Sequence, residues 1–255
     1  MANILITGGS RGIGAANVRR LAREGHRVCF IYKESIETAH SLTRVLQAEG
    51  CDVIGVQCDV RQPSQVQKVV DTMNNNWGGV DVLINGAGIS WTGLLQDMLD
   101  AEWLDLFDTN VNGTFYCTRA VLPHMIAHHY GRIVNLGSVA AVYGNRNMAD
   151  YSMTKGAVHS FTHALAKEVA DNQITVNAVA PGFMVNERSR QYLGTVEDGL
   201  TARGERVIAH TPMGRFGQAA DLLGAVSYLL DDRAAAFVTG ITLPVDGGFL
   251  TQPGI

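Results

Sequence analysis

The chain has 255 residues, 46% of them hydrophobic and 17% charged, with a formal net charge of −4. That size and balance suit a globular α/β chain and exclude a disordered one. Mild acidity, with no basic stripe and no interleaved aromatic platform, gives no reason to expect nucleic-acid binding, and no apolar run approaches the roughly 20 residues of a membrane span.

Short apolar runs alternate with longer helical patterns along the chain. Asn3–Thr7 is a predicted strand and Ile13–Glu24 a helix; Arg27–Tyr32 is a second strand, followed by a helix over Ile36–Glu49. Asp52–Gln57, Val80–Ile84 and Arg132–Leu136 continue the strands, separated by helices near Ser64–Trp77 and over Val111–His128. A long helix over Tyr151–Ala170, a strand over Ile174–Val179, a helix near Ala220–Leu230 and a strand over Ile241–Val245 complete the pattern. Strands this apolar, without alternation, are buried on both faces. The strand–helix repetition predicts right-handed crossovers and a doubly wound, Rossmann-type parallel sheet of about seven strands with helices on both faces. Nothing breaks the chain, so residues 1–255 are expected to form one domain. The exception in texture is the stretch from Gly182 to Thr211, extended here to about residues 182–217. It is polar, shows no strand, and is expected to be an irregular substrate loop or lid.

The four cysteines, Cys29, Cys51, Cys58 and Cys117, form neither a Cys-x-x-Cys pair nor a metal-ligand spacing. Buried free thiols in a reducing cytoplasm are the expectation. The chain opens directly on a strand pattern, so no signal peptide is expected. His124, His128, His129 and His210 lack partners at ligand spacing, so no metal site is expected.

Thr7-Gly8-Gly9-Ser10-Arg11-Gly12-Ile13-Gly14 lies between the first strand and the first helix. Glycines there permit a tight turn and let backbone N–H groups approach a pyrophosphate at a helix N-terminus. The second strand ends in Tyr32 and Lys33, with Arg11 in the glycine turn. A carboxylate at that strand end would select NAD; two cations and no acid favour a 2′-phosphate, hence NADP(H), with NAD(H) as the alternative. Glu34, next in line, weakens that inference. Asp59 and Val60 follow the third strand, where a carboxylate can accept from an adenine amino group. Asn85-Gly86-Ala87-Gly88 follows the fourth, where small residues let backbone reach the adenine ribose.

Tyr151 and Lys155 are four apart on a predicted helix and share a face. An ammonium beside a phenol favours the phenolate, so the tyrosine becomes a proton donor or acceptor near neutral pH. Ser138, thirteen residues earlier, would hold the oxygen of a carbonyl or alcohol. Taken alone the pair is a common pattern of amphipathic helices; its order behind the glycine turn is what gives it weight.

These motifs, with Asn110 in Asn110-Val111-Asn112-Gly113, Pro181-Gly182 and Asp246-Gly247-Gly248, resemble the short-chain dehydrogenase/reductase family over almost the whole chain. The resemblance implies that Tyr151 is the acid/base, that Ser138 orients the substrate oxygen, and that Lys155 holds the nicotinamide ribose and lowers the tyrosine pKa. It implies that Asn110 positions a proton-relay water by bending its helix. Asn186 stands near the place where the family commonly has a threonine contacting the carboxamide, and Gly86 and Gly137 replace a second asparagine and a second serine. A non-catalytic, nucleotide-sensing member would be marked by a missing Tyr or Lys, and both are present.

Up to Pro181 the chain is most similar to 3-oxoacyl-acyl-carrier-protein reductases, although His128-His129-Tyr130 and Ala170-Asp171-Asn172 lack the arginines expected to dock an acidic carrier; Arg132 and nearby lysines would have to serve. From Phe183 onward it resembles the branch that interconverts fructuronate and mannonate. A polar, arginine-bearing loop suits a small keto acid or sugar acid, and Arg188, Arg190 and Arg203 are candidates for a carboxylate clamp. The family usually forms tetramers, so the long helices over Val111–His128 and Tyr151–Ala170, with the apolar tail Phe249–Ile255, are expected to pair subunits.

Overall fold

The computed structural model describes residues 1–195 and 199–251, apart from the side chains at 187 and 188. Seven parallel strands form one sheet: β1 (Asn3–Thr7), β2 (Arg27–Tyr32), β3 (Val53–Gln57), β4 (Val82–Asn85), β5 (Gly131–Leu136), β6 (Ile174–Pro181) and, at the far edge, Thr242–Val245. Their spatial order is β3-β2-β1-β4-β5-β6 and then Thr242–Val245. The chain winds outward from β1 to one edge, returns to β4 beside β1, and winds to the other edge. Consecutive residues of one strand face opposite helix layers, which is why the strands are apolar throughout. Ile4 and Ile6 of β1 pack with Val18 and Leu21 of α1 (Gly12–Arg23) and Leu42 and Leu46 of α2 (Ile36–Ala48). Leu5, between them, packs in the other layer. There it joins Val66 and Val70 of α3 (Pro63–Trp77) and, beyond the short α4 (Asp100–Phe107), Cys117 and Val121 of α5 (Gly113–His128).

Local chemistry sets several element ends. Pro63 opens α3, where its missing N–H costs nothing. Gly78 closes α3 in the left-handed region at φ 83°. The four cysteines are free thiols, three of them buried, and burial pushes Cys29 up to about 12 and Cys58 to about 11.

Three features differ from the sequence expectation. α4 is an eight-residue helix that the pattern does not announce, and only Leu106 of it is buried. The helix expected from Val111 starts as a π-helical turn over Asp108–Asn112, and α5 proper begins at Gly113. Past the one-turn α6 (Ala140–Tyr143), α7 (Ala149–Val169) and β6, the described residues of the expected irregular loop form regular elements instead. It holds α8 (Glu187–Leu193), an antiparallel pair β7 (Gly194–Thr195) and β8 (Gly199–Leu200), and α9 (Ala202–Ala209). Its helices are only seven and eight residues long, too short for a sequence period to stand out. Leu193, Val207 and Phe216 give the segment a small core of its own. Beyond it lie α10 (Leu223–Leu230) and the edge strand β9 (Thr242–Val245).

Candidate active site

Strand order reverses between β1 and β4, and in an open parallel sheet the crevice at the carboxyl ends of such strands is where ligands bind. A cavity of about 360 Å³ opens there. Ile13, Gly86 and Gly88 line one side, Ser138, Tyr151 and Lys155 the floor, and Gly182, Phe183, Tyr192 and Arg203 the far wall.

The glycine turn has the shape of a phosphate cradle. Gly8 and Gly12 take φ values of 67° and 56°. A Cβ on Gly8 would stand 2.9 Å from the Cα of Ala87, and one on Gly14 would overlap the Gly8 carbonyl, so turn and helix meet backbone to backbone. A Cβ on Gly12 meets nothing within 4 Å, so the turn faces open space there. No side chain caps α1 and no acidic residue lies in its first turn, which leaves its N-terminal dipole available to an anion. Ser10 is buried and Arg11 exposed. These residues fit a dinucleotide pyrophosphate.

At the end of β2 the Tyr32 ring is buried, 6.1 Å from the Phe30 ring, so Lys33 is the exposed residue of that strand end. Lys33 Nζ lies 3.1 Å from Glu34 Oε1, both side chains largely in solvent. Asp59 is engaged by the Arg61 guanidinium and the Arg61 N–H, and the side-chain bond holds its carboxyl below the usual range. Val60 packs against Gly113, where a Cβ would come within 2.7 Å of Val60 Cγ2.

The Asn85–Gly88 turn is anchored to the neighbouring strand. The N–H groups of Gly86 and Ala87 donate to Thr7 Oγ1 at 3.0 and 2.9 Å, tying the β4 turn to β1. The Asn85 side chain points into the protein and donates to Thr118 Oγ1 and Asn135 Oδ1. Only Gly86 and Gly88 of the four line the cavity.

β5 and α7 bring Ser138, Tyr151 and Lys155 together. The Ala140 N–H donates to Ser138 Oγ at 3.1 Å, fixing the hydroxyl at the start of α6. Part of the Tyr151 ring is open to the cavity. Enough protein surrounds it that burial pushes the phenol above its ordinary value, opposed by a hydrogen bond with Ser138. Lys155 Nζ lies 5.8 Å from the Tyr151 ring centroid and donates to the Leu136 carbonyl at 2.6 Å. Burial pushes this ammonium down to about 8. The expected lowering of the tyrosine by the lysine is therefore not what this structure shows: desolvation acts on both groups and dominates each.

Asn110 sits in the π-turn, buried, with its side chain fully engaged. Its Oδ1 accepts from the Ile89 N–H, and its Nδ2 donates to the Ile89 carbonyl and Thr154 Oγ1. Its own carbonyl accepts from Thr114 Oγ1 at 2.9 Å. Asn110 thus clamps the wall of the cleft onto α7.

Of the remaining candidates, the cofactor candidates Pro181, Gly182 and Asn186 and the substrate candidate Arg203 line the cavity, and Arg190 is exposed and does not. The side chain of Arg188 lies outside the described residues. Asn186 Oδ1 accepts from the Ser189 N–H, an N-cap for α8. Two residues were missed by sequence reasoning. Tyr143, from α6, lines the cavity close enough to Arg203 and Tyr151 to feel both, and burial first of all pushes it up to about 12. His159 lies one turn beyond Lys155, its Nε2 accepting from the Ser138 N–H. Gly137, where the family pattern has serine, was the available signal for it.

The family profile described as short chain dehydrogenase matches residues 2–194. The chain belongs to the short-chain dehydrogenase/reductase family. It is an oxidoreductase of that family, whose members bind NAD(P). Over 244 residues it is 38% identical to the 3-oxoacyl-[acyl-carrier-protein] reductase FabG of Staphylococcus aureus, covering 96% of each chain. The solved gluconate 5-dehydrogenase of Burkholderia cenocepacia, in complex with NADP and tartrate, matches at 34% identity with a TM-score of 0.90, over 99% of this chain and 96% of that one. A Haemophilus influenza protein proposed to be a D-mannonate oxidoreductase, with bound NAD, matches with a TM-score of 0.93 at 27% identity, over 100% of this chain and 96% of that one. Among the described residues, no helix is long and apolar enough to cross a membrane and no cluster could hold a metal ion.

Proposed function

We propose that this short-chain dehydrogenase/reductase interconverts a ketone and a secondary alcohol on a small polar keto acid or sugar acid, using Ser138, Tyr151 and Lys155 and preferring NADP(H). The observation that carries the substrate reading is Arg203. It lines the same cavity as Ser138 and Tyr151, and among the described residues it pairs with no carboxylate; its Nη2 approaches Met148 Sδ at 3.8 Å. A guanidinium that lines a reaction cavity and has no acid partner among the described residues suits a substrate that brings its own carboxylate. The gluconate dehydrogenase bound to tartrate, itself a dicarboxylate, supports the same class.

A bound nicotinamide dinucleotide supplies the hydride donor or acceptor. In the reductive direction the Tyr151 hydroxyl gives its proton to the substrate oxygen. The Ser138 hydroxyl donates a hydrogen bond to the charge developing on that oxygen. Lys155, anchored on the Leu136 carbonyl, keeps an ammonium at the edge of the cleft beside Gly88. Asn110 holds the opposite wall. Support for NADP(H) comes from Arg11 and Lys33 and the lack of a strand-end acid.

The second reading, a 3-oxoacyl thioester reductase, is favoured by the 38% identity to FabG. Carrier docking has less support. Arg132 is buried and committed to the Gly131 and Gln173 carbonyls and to Asp232, so it does not present a free cation. Initial rates of NADPH oxidation with fructuronate and with acetoacetyl-coenzyme A decide between the two. A higher kcat/KM for fructuronate is expected; a clear preference for the thioester replaces the first reading with the second. NADPH binding without turnover of a wide ketone and alcohol panel would move the chain to a nucleotide-binding sensor. For assembly we propose a homotetramer, supported by the exposed Phe115 and Ile126 on α5 and Met153 on α7. A stable monomer in sedimentation at micromolar concentration would reject it.

A further inference from the structure

β5 outruns its neighbour β4. The last pair between them is Asn85 with Asn135, whereas β5 stays bonded to β6 through the N–H groups of Gly137 and Val139, which donate to the Val179 and Pro181 carbonyls. Backbone groups of alternate residues point to opposite sides of a strand, so the Leu136 carbonyl and the Ser138 N–H face the side where β4 has ended. Left unpaired and buried, each would carry a desolvation cost. α7 replaces the lost strand with two side chains one turn apart. Lys155 Nζ donates to the Leu136 carbonyl at 2.6 Å, and His159 Nε2 accepts from the Ser138 N–H at 3.3 Å.

Gly137 leaves the space for that imidazole. His159 is buried, and a Cβ on Gly137 would overlap its Nε2 and stand 2.7 Å from its Cδ2. Gly137 and His159 are thus a matched pair: the glycine admits the ring, and the ring pairs the next N–H.

We propose that His159 is a positioning residue: by accepting the Ser138 N–H it fixes the backbone from which the Ser138 hydroxyl is aimed at the substrate oxygen. This rests on the reading of Ser138 given above. Accepting at Nε2 requires the neutral ring with its proton on Nδ1. Burial, then the charges of Lys155 and His163, hold the imidazole down to about 4, so it stays an acceptor through neutral pH. The hydrogen bond is long for its type, which suits an orienting contact more than a source of stability.

The test compares His159→Leu, which removes the acceptor, with His159→Gln, which offers an amide oxygen in its place, and with Ser138→Ala. Amide hydrogen exchange at Ser138 is measured on the full chain, followed by steady-state kinetics with NADPH and whichever of fructuronate and acetoacetyl-coenzyme A the wild type reduces. Expected is faster exchange at Ser138 in His159→Leu and near-wild-type protection in His159→Gln. With it comes a kcat lower by about tenfold to a hundredfold in the leucine variant, recovered in the glutamine variant, at unchanged KM for NADPH. If His159→Leu fails to fold, the same exchange is read in Gly137→Ser, whose added Cβ must displace the ring, and in Gly137→Ser combined with His159→Ala. Faster exchange in both is then the expected result. Wild-type protection of the Ser138 amide without the imidazole overturns the proposal, as does a leucine variant with wild-type kcat while Ser138→Ala is impaired. Wild-type kcat in Ser138→Ala overturns the serine reading, and this proposal with it.

Discussion

On the dinucleotide side of the cleft the surface is backbone: Gly8 against Ala87, Gly14 against Gly8, and the β4 turn tied to β1 by the Thr7 hydroxyl. Across the cleft the surface is side chains, Phe183, Tyr192 and Arg203, carried by a segment with its own small core of Leu193, Val207 and Phe216. The first side is dictated by the sheet, because turns at the ends of adjacent strands can sit in only one place. The second is set by a few residues on short helices that the seven-stranded sheet does not constrain. On the function proposed above, cofactor geometry would follow from the fold, and substrate choice from a unit whose side chains can change while the sheet stays the same.

The sharpest way to separate the two sides is to remove the chemistry between them. Tyr151→Phe deletes the transferable proton and leaves the turn of β1 untouched. A fall in kcat of about 10²- to 10⁴-fold is expected, with an unchanged dissociation constant for NADPH measured by its fluorescence. Turnover close to wild type would take the acid/base role from Tyr151.

Next in size is the acid stability of the floor beneath Ser138. His159 is held down to about 4 from an ordinary value of 6.5, chiefly by burial. Between those values the unfolded chain binds the proton and the folded chain does not. His159 therefore costs stability progressively as pH falls from 6.5 toward 4, and nothing above 6.5. The full window corresponds to about 3 kcal/mol. Urea unfolding of wild type and His159→Gln at pH 7 and pH 4.5 checks it: the glutamine variant should lose less stability on acidification. Equal losses would mean that the imidazole titrates normally.

Arg203→Leu probes the other wall. A charge-assisted bond to a substrate carboxylate is worth about 1.5–3 kcal/mol, so KM for fructuronate should rise by about tenfold to a hundredfold. KM for NADPH and the rate with an uncharged ketone should stay within a few-fold. If NADPH affinity falls as much as substrate affinity, the two sides are not separable in the way the packing implies.

Legibility in the sequence follows the same division. The strands and the glycine turn were legible because buried parallel strands are continuous apolar runs and because close backbone approach demands glycine; Ser138, Tyr151 and Lys155 meet at one cavity, and their roles rest on the proposed function. α4, with one buried residue, leaves no period to find. The short helices within Gly182–Thr211 were hidden for a related reason: they are stabilised by contacts with each other and not by a long amphipathic stripe. Arg132 and Lys155 show a further limit. Sequence gives their charge, but only the fold shows that one is spent on Asp232 and two carbonyls and that the other is desolvated. Arg188 and Arg190 read like Arg203 in a string, and the turn of α8 leaves Arg190 outside the cavity.

The smallest expected effect lies at the far end of the dinucleotide side, where side chains rather than backbone choose the ligand. Lys33 is paired with Glu34 at 3.1 Å, with both side chains well exposed. Such pairs contribute about 0–1 kcal/mol, so the contact is weak enough for a 2′-phosphate to take the ammonium from the carboxylate. With Tyr32 buried against Phe30, Lys33 and Arg11 are the exposed cations at this end of the cleft. Lys33→Asp would replace an attraction for the phosphate by a repulsion and would add an acceptor for ribose hydroxyls. The ratio of kcat/KM for NADPH to that for NADH should fall by about tenfold, the equivalent of about 1.4 kcal/mol. Glu34→Gln, which frees the lysine, should raise the same ratio by a few-fold. If neither variant moves it, the strand end does not select the cofactor, and on this side of the cleft the choice would rest with Arg11 and the backbone of the turn.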